Sequence, residues 1–242
     1  REEATGQTRK AFLRKAGLGG AAVLGGGVLL GPGAGIGRAG HTDAVPDVDV
    51  LNFALSLEYL EATFYTQALG GPGVPGLVPE SPGVFGRGDI TGSREFAGFG
   101  GRLRSDAYGL LTDIRDHEVT HVEFLVGALG AAAVPPCTYT FGDAFGSVGS
   151  FLSTARLLEN TGVMAYDGAI RYVEAGDFLQ AGAQIATVEA RHAAYLNLIT
   201  GESPFPSAFD TGLRPQLIIA AAGSFFARPC PASVEALFGR LP

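Results

Sequence analysis

The sequence predicts an all-α four-helix bundle, and three observations predict it. Long runs with apolar residues at helical spacing are separated by Gly- and Pro-rich breaks. Glu-x-x-His occurs twice, as Glu118-Val119-Thr120-His121 and as Glu189-Ala190-Arg191-His192. In the run before each motif, a glutamate is followed seven residues later by a tyrosine: Glu58 and Tyr65, then Glu159 and Tyr166. A spacing of three is close to one helical turn and seven is close to two, so each set shares a helix face. The chain reads as two halves of one plan.

The first helix begins near Asp47 or Asp49, either of which is placed to cap it. Val50, Leu51, Ala54, Leu55, Glu58, Ala62 and Tyr65 form its inward stripe, and it stops before Gly70. Residues 70–101 are loaded with Gly and Pro and read as a long insertion loop with at most short turns. The second helix is expected from Arg102 to Leu129, with Leu103, Leu110, Leu111, Ile114, Glu118, His121, Leu125 and Leu129 facing inward. The connector from Ala131 to Asp143 has 13 residues. Such a segment reaches at most about 45 Å, as far as a helix of 28 residues (about 42 Å), which permits a crossover along the bundle. The third helix starts between Asp143 and Ser150 and ends at Gly176; Asp177 caps a fourth that ends at Gly201. Residues 41–201 therefore make the bundle. Residues 202–242 form a C-terminal extension with short helices at Pro215–Phe226 and Ala232–Phe238.

Residues 1–40 are set apart. Thr8-Arg9-Lys10-Ala11-Phe12-Leu13-Arg14-Lys15 precedes 21 uncharged residues, Ala16 to Ile36. The segment resembles a twin-arginine export signal, with Lys10 where the second arginine is usual. It also reads as a retained transmembrane anchor: its length suffices to span a bilayer, and small residues recur four apart, as at Ala16/Gly20 and Ala21/Gly25. A flexible Gly-rich tail is the third reading. Under the first two, the basic flank stays cytoplasmic and the remainder is periplasmic or otherwise extracytoplasmic, attached to the inner membrane if the segment is kept.

A hydrophobic fraction of 46% supplies a core and excludes a chain disordered throughout. A net charge of −7 argues against nucleic acid as partner, because phosphate binding needs a basic face. Cys137 and Cys230 pair as a disulfide in an oxidising compartment and stay as buried thiols in a reducing one.

One glutamate from each of two helices, plus Glu-x-x-His from each of two others, is the donor set of a dinuclear carboxylate site inside a bundle. The segments Leu51–Tyr65, Asp116–His121, Leu158–Tyr166 and Val188–His192 resemble the ferritin-like superfamily, above all its exported bacterial, desiccation-related branch. The resemblance implies that Glu58, Glu118, His121, Glu159, Glu189 and His192 hold two divalent metal ions, with Glu118 and Glu159 the natural ones to flank or bridge. It implies ferroxidase or oxygen/peroxide-reducing activity, with Tyr65 and Tyr166 as the candidate catalytic residues. Mixed carboxylate and imidazole donors suit iron or manganese, and zinc also fits. Glu61, three residues after Glu58, is read as a partner of the ligands rather than a ligand. Charge supports metal independently, since four buried carboxylates each cost several kcal/mol unless compensated. A metal-free core would instead protonate them or bond them to the tyrosines and histidines.

Two rivals share these residues. His117-Glu118-Val119-Thr120-His121 is a literal His-Glu-x-x-His, the zinc peptidase signature. The longer peptidase pattern needs a glycine and a third histidine where this chain has Phe124 and Gly127, and the reading leaves Glu58, Glu189 and His192 unused. A membrane-tethered structural subunit is the other: the 70–101 loop would dock other membrane-protein subunits, or a second copy of the chain in a homo-oligomer.

Overall fold

Four long helices carry the fold in the computed structural model, which describes residues 45–242. The segment read as an export signal or anchor lies outside the described residues; within them, no helix is long and apolar enough to cross a membrane. In chain order the helices are α1 (Asp47–Leu69), α2 (Arg87–Gly92), α3 (Arg102–Ser105), α4 (Ala107–Leu129), α5 (Val148–Ala169), α6 (Gly176–Ile199), α7 (Pro215–Ala222) and α8 (Ala232–Arg240). Among the described residues there is no β-strand, only isolated bridges.

Helix α1 is apolar on nearly every face and is buried nearly all round, which is where such a sequence has to go. It packs on α4, α5 and α8. At its C-terminal end Phe64 stacks on Phe145 and Phe151 at 5.4 and 5.5 Å and tilts against Phe141 at 5.2 Å. Burying such a side chain contributes about 1.5–3 kcal/mol.

The connector after α4 is a crossover laid along α1. Asn52 donates to the Ala132 carbonyl at 2.9 Å and accepts from the Val134 amide at 2.8 Å. Tyr139 donates to the Ser56 carbonyl at 3.4 Å, and Phe141 then meets Phe64. The chain thus returns from the N-terminal to the C-terminal end of α1 before α5 begins. Helices α4 and α5 therefore both run antiparallel to α1, and α6 turns back beside α5. Ser147 caps α5 by accepting from the Ser150 amide at 3.0 Å.

The acidic residues at the start of α1 act differently from expectation. Neither caps its own helix. Asp47 accepts from the Glu174 and Ala175 amides, both at 2.9 Å, and so ties the α5–α6 turn to α1. Asp49 holds Arg240 of α8 through two bonds of 2.6 and 2.7 Å. Helix α6 starts at Gly176, so Asp177 sits inside its first turn rather than before it. The expected single helix from Arg102 is interrupted at Asp106, whose carboxylate takes bonds from Arg102 and Ser105, both 2.8 Å. Leu103 and Leu110, expected to face inward, are exposed; Leu110 lies about 100° round from Leu111, which is buried.

The 70–101 segment, expected to hold at most short turns, contains helix α2 and is packed against the body. Val74, Val78, Phe85, Ile90 and Phe96 are buried in the core, and the Arg115 guanidinium donates to the Gly70 carbonyl at 2.6 Å. The C-terminal extension is also part of the body. Helix α7 packs on α5, and a Cys137–Cys230 disulfide fastens the extension to the crossover. A Cβ at Gly168 would run into the Leu213 carbonyl, so glycine there admits the return of the chain onto α5.

Candidate metal centre

The four long helices bring six donors to one buried place. Glu58 comes from α1, Glu118 and His121 from α4, Glu159 from α5, Glu189 and His192 from α6. The four glutamates are 0% exposed, and the two histidines are buried. Among the described residues two donor groups form, each with its atoms within 4.8 Å of one another: Glu58, Glu118, His121 and Glu189, and Glu118, Glu159, Glu189 and His192.

Glu118 and Glu189 belong to both groups, so they are the shared pair; Glu159, expected with Glu118 to flank or bridge, belongs to one group only and so flanks. The cause is the motif itself. Each of these glutamates lies beside the histidine of its own helix and also reaches the histidine of the other. Glu118 is 3.3 Å from His121 Nδ1 and 3.0 Å from His192 Nδ1. Glu189 is 4.0 Å from His192 Nδ1 and 3.3 Å from His121 Nδ1. Glu58 and Glu159 are terminal, each 3.1 Å from one Nδ1, of His121 and His192 respectively. Both rings therefore present Nδ1 to the carboxylates.

The two tyrosines exchange partners. Tyr65 donates to Glu159 at 2.7 Å, and Tyr166 donates to Glu58. Because α1 and α5 are antiparallel, a tyrosine two turns beyond the glutamate on one helix lies level with the glutamate of the other.

Glu61 is a fifth buried carboxyl. A Cβ built on Gly162 of α5 would lie 3.2 Å from Glu189 Oε2 and 3.3 Å from Glu61 Oε1, so both carboxyls reach the bare helix surface at that glycine.

Charge in this cluster is settled by burial first. Burial raises Glu61 and Glu189 well above the ordinary carboxyl range, and neighbouring glutamates push the same way. Glu118 rises to about 7 by burial and by Glu159, against the two imidazoles. Burial also works against Glu58, but the His121 charge overcomes it and holds that carboxylate low. Burial would lower both histidines; instead Glu58 holds His121 high, and Glu159 with Glu118 brings His192 to about 11. Burial, then Glu159 and Glu58 respectively, keep Tyr65 and Tyr166 as neutral phenols that donate. Protein groups alone thus meet the negative charge with protons.

That compensation is incomplete. Both Glu189 oxygens and Glu118 Oε1 are buried without a hydrogen bond. The Nδ1 atoms of His121 and His192 lie within ion-pair distance of them but at directions that make no hydrogen bond. The orphaned acceptors belong to the two shared glutamates, the place where a cation between the two groups would be held.

His117 enters the site by a route other than its peptidase role. It is exposed, and it belongs to neither donor group. Its Nδ1 lies 2.9 Å from His192 Nε2, with the two rings 5.2 Å apart and 12° from parallel. It therefore does not pair with His121 around one ion, and the zinc peptidase reading finds no support. The signal for this residue was present: His117 is one of only four histidines in the chain.

The family profile for the ferritin-like domain matches residues 46–202. The chain is also similar to protein rds1 of Schizosaccharomyces pombe, at 29% identity over 128 residues, covering 53% of this chain and 31% of that protein. The chain thus spans about 31% of the length of that relative. The profile match takes in all four long helices and every donor of the centre, and the chain belongs to the ferritin-like domain family.

Proposed function

We propose that the protein holds two divalent ions, iron or manganese, at Glu58, Glu118, His121, Glu159, Glu189 and His192, and acts as a ferroxidase or reduces oxygen or peroxide. The observation that carries the reading is the pair of overlapping donor groups sharing Glu118 and Glu189, whose buried oxygens lack hydrogen bonds. Four terminal and shared carboxylates balance four positive charges, and each position receives one imidazole. When bound, a pair of such ions would supply two electrons, one from each ion.

The chain's own groups do the rest. Glu118 and Glu189 keep two positions close enough to act together. Tyr65 and Tyr166 donate to Glu159 and Glu58 and fix the direction of the remaining carboxylate lone pairs. Burial shields the donors from water, and burial with the neighbouring glutamates raises the Glu61 carboxyl well above its ordinary range. We place the protein outside the cytoplasm. The signal-like segment at Thr8–Lys15 supports this, as does the Cys137–Cys230 disulfide, a bond that persists in oxidising compartments.

The test is elemental analysis of the purified full chain together with oxygen uptake on adding ferrous iron. Two ions per chain and uptake above the buffer rate are expected. Less than one ion per chain, even after incubation with iron and manganese, sinks the reading.

A further inference from the structure

We propose that His117 is a positioning residue for His192 and makes the two metal positions unequal, the one at His192 binding its ion more tightly. The inference rests on the two-ion reading and adds to it.

Both ligand histidines turn Nδ1 toward the carboxylates. For Nδ1 to offer its lone pair to an ion, the ring proton must sit on Nε2. A buried N–H needs an acceptor, and a ligand whose outer N–H is bonded is held in orientation and made a better donor. On the His192 side that acceptor is His117 Nδ1, 2.9 Å from His192 Nε2, on a nearly parallel ring. Accepting there places the His117 proton on its own Nε2.

Among the described residues, the bonds and ion pairs of His121 all run through Nδ1, to Glu58, Glu118 and Glu189, and none reaches its outer nitrogen. His117 precedes Glu118 by one residue; the residue that precedes Glu189 by one is Val188. An isopropyl group accepts nothing. The repeat that makes the donor set two-fold therefore breaks at this place, and it breaks in favour of His192.

The experiment uses cobalt(II) as probe, by equilibrium dialysis with metal analysis and by visible absorption, on the metal-depleted full chain. The wild type is expected to bind two cobalt ions per chain in two unequal steps. His117→Phe keeps a flat ring on His192 and removes the acceptor. It should weaken the tighter step roughly tenfold to a hundredfold and leave the other within about twofold. His117→Gln, which restores an acceptor oxygen, should recover most of the loss. In the metal-free protein His117→Phe should lower the melting temperature by a few degrees, since the buried His192 N–H loses its acceptor, and His117→Gln should restore it. An unchanged tighter step in His117→Phe overturns the proposal, as does equal weakening of both steps or failure of His117→Gln to rescue. A wild type that binds no cobalt overturns the two-ion reading with it, so the two failures are told apart by the wild-type titration.

Discussion

The first half of the bundle, α1 with α4, and the second, α5 with α6, carry the same donors at the same spacing, yet they differ at two places in the centre. Position 61 in the first half is glutamate and its counterpart 162 is glycine; position 117 is histidine and its counterpart 188 is valine. The shared residues make a symmetric cage of donors. The departures make that cage lopsided: Glu61 reaches into the space that Gly162 leaves open beside Glu189, and His117 backs one histidine only. Surroundings differ as well. Helix α1 is wrapped on all sides, whereas α6 buries one stripe, Ile185, Glu189, His192, Ala193 and Leu196. Identical ligands in unlike surroundings need not bind or react alike.

The harshest way to break the comparison is to delete one motif. Glu118→Ala with His121→Ala, and separately Glu189→Ala with His192→Ala, should each abolish bound metal. Each pair removes a shared carboxylate as well as a terminal imidazole. Retention of both ions in either double variant, by elemental analysis, would rule out the assigned site.

A smaller effect sharpens the asymmetry. Gly162→Val should displace Glu189 and Glu61, since even a Cβ there comes within 3.2 and 3.3 Å of their oxygens. Metal affinity should fall by roughly tenfold to a hundredfold, the range for disturbing groups that orient ligands. Glu61→Ala in the same chain should return part of the loss by making room. If Gly162→Val titrates like the wild type, the packing of the two carboxyls at that glycine is unimportant.

The smallest effect probes what the halves share. Tyr65→Phe and Tyr166→Phe each remove a hydrogen bond to a buried carboxylate. Each should cost about 2 kcal/mol, or roughly 4–8 °C in melting temperature for a domain of this size. Calorimetry giving one large and one negligible shift would show that the exchanged bonds are not equivalent.

Much of this architecture was legible in the residues. Helix boundaries followed Gly70, Gly130 and Gly201 because a glycine-rich break ends a periodic run whatever packs against it. The two Glu-x-x-His pairs were legible because turn geometry forces residues three apart onto one face, while Glu58 and Glu159 were singled out by a tyrosine seven residues on and by the resemblance to the ferritin-like superfamily. The length of the Ala131–Asp143 connector allowed a crossover, since a hairpin needs only a few residues. Less was legible where a residue's role depends on what it meets. Asp47 looked like a cap for α1 and instead holds the turn before α6. The 70–101 segment read as a long loop with at most short turns, yet it contains helix α2 and buries Phe85, Ile90 and Phe96, because a run without periodicity still buries its apolar side chains when tertiary walls surround it. Glu61 was placed near the ligands by its spacing from Glu58, but its approach to Gly162 involves a second helix.

By itself the sequence determined the four helices, the two Glu-x-x-His motifs and the two Glu–Tyr pairs, since all of these follow from spacing along a single rod of known pitch, and the set of six candidate donors followed from the resemblance those motifs carry. Only the tertiary structure decided that Glu118 and Glu189 are the shared carboxylates, that Tyr65 bonds Glu159 and Tyr166 bonds Glu58, and that His117 stands behind His192. Those relations depend on the direction and stagger of one helix against another, set by the crossover and by core packing over the whole body, and no local spacing encodes them.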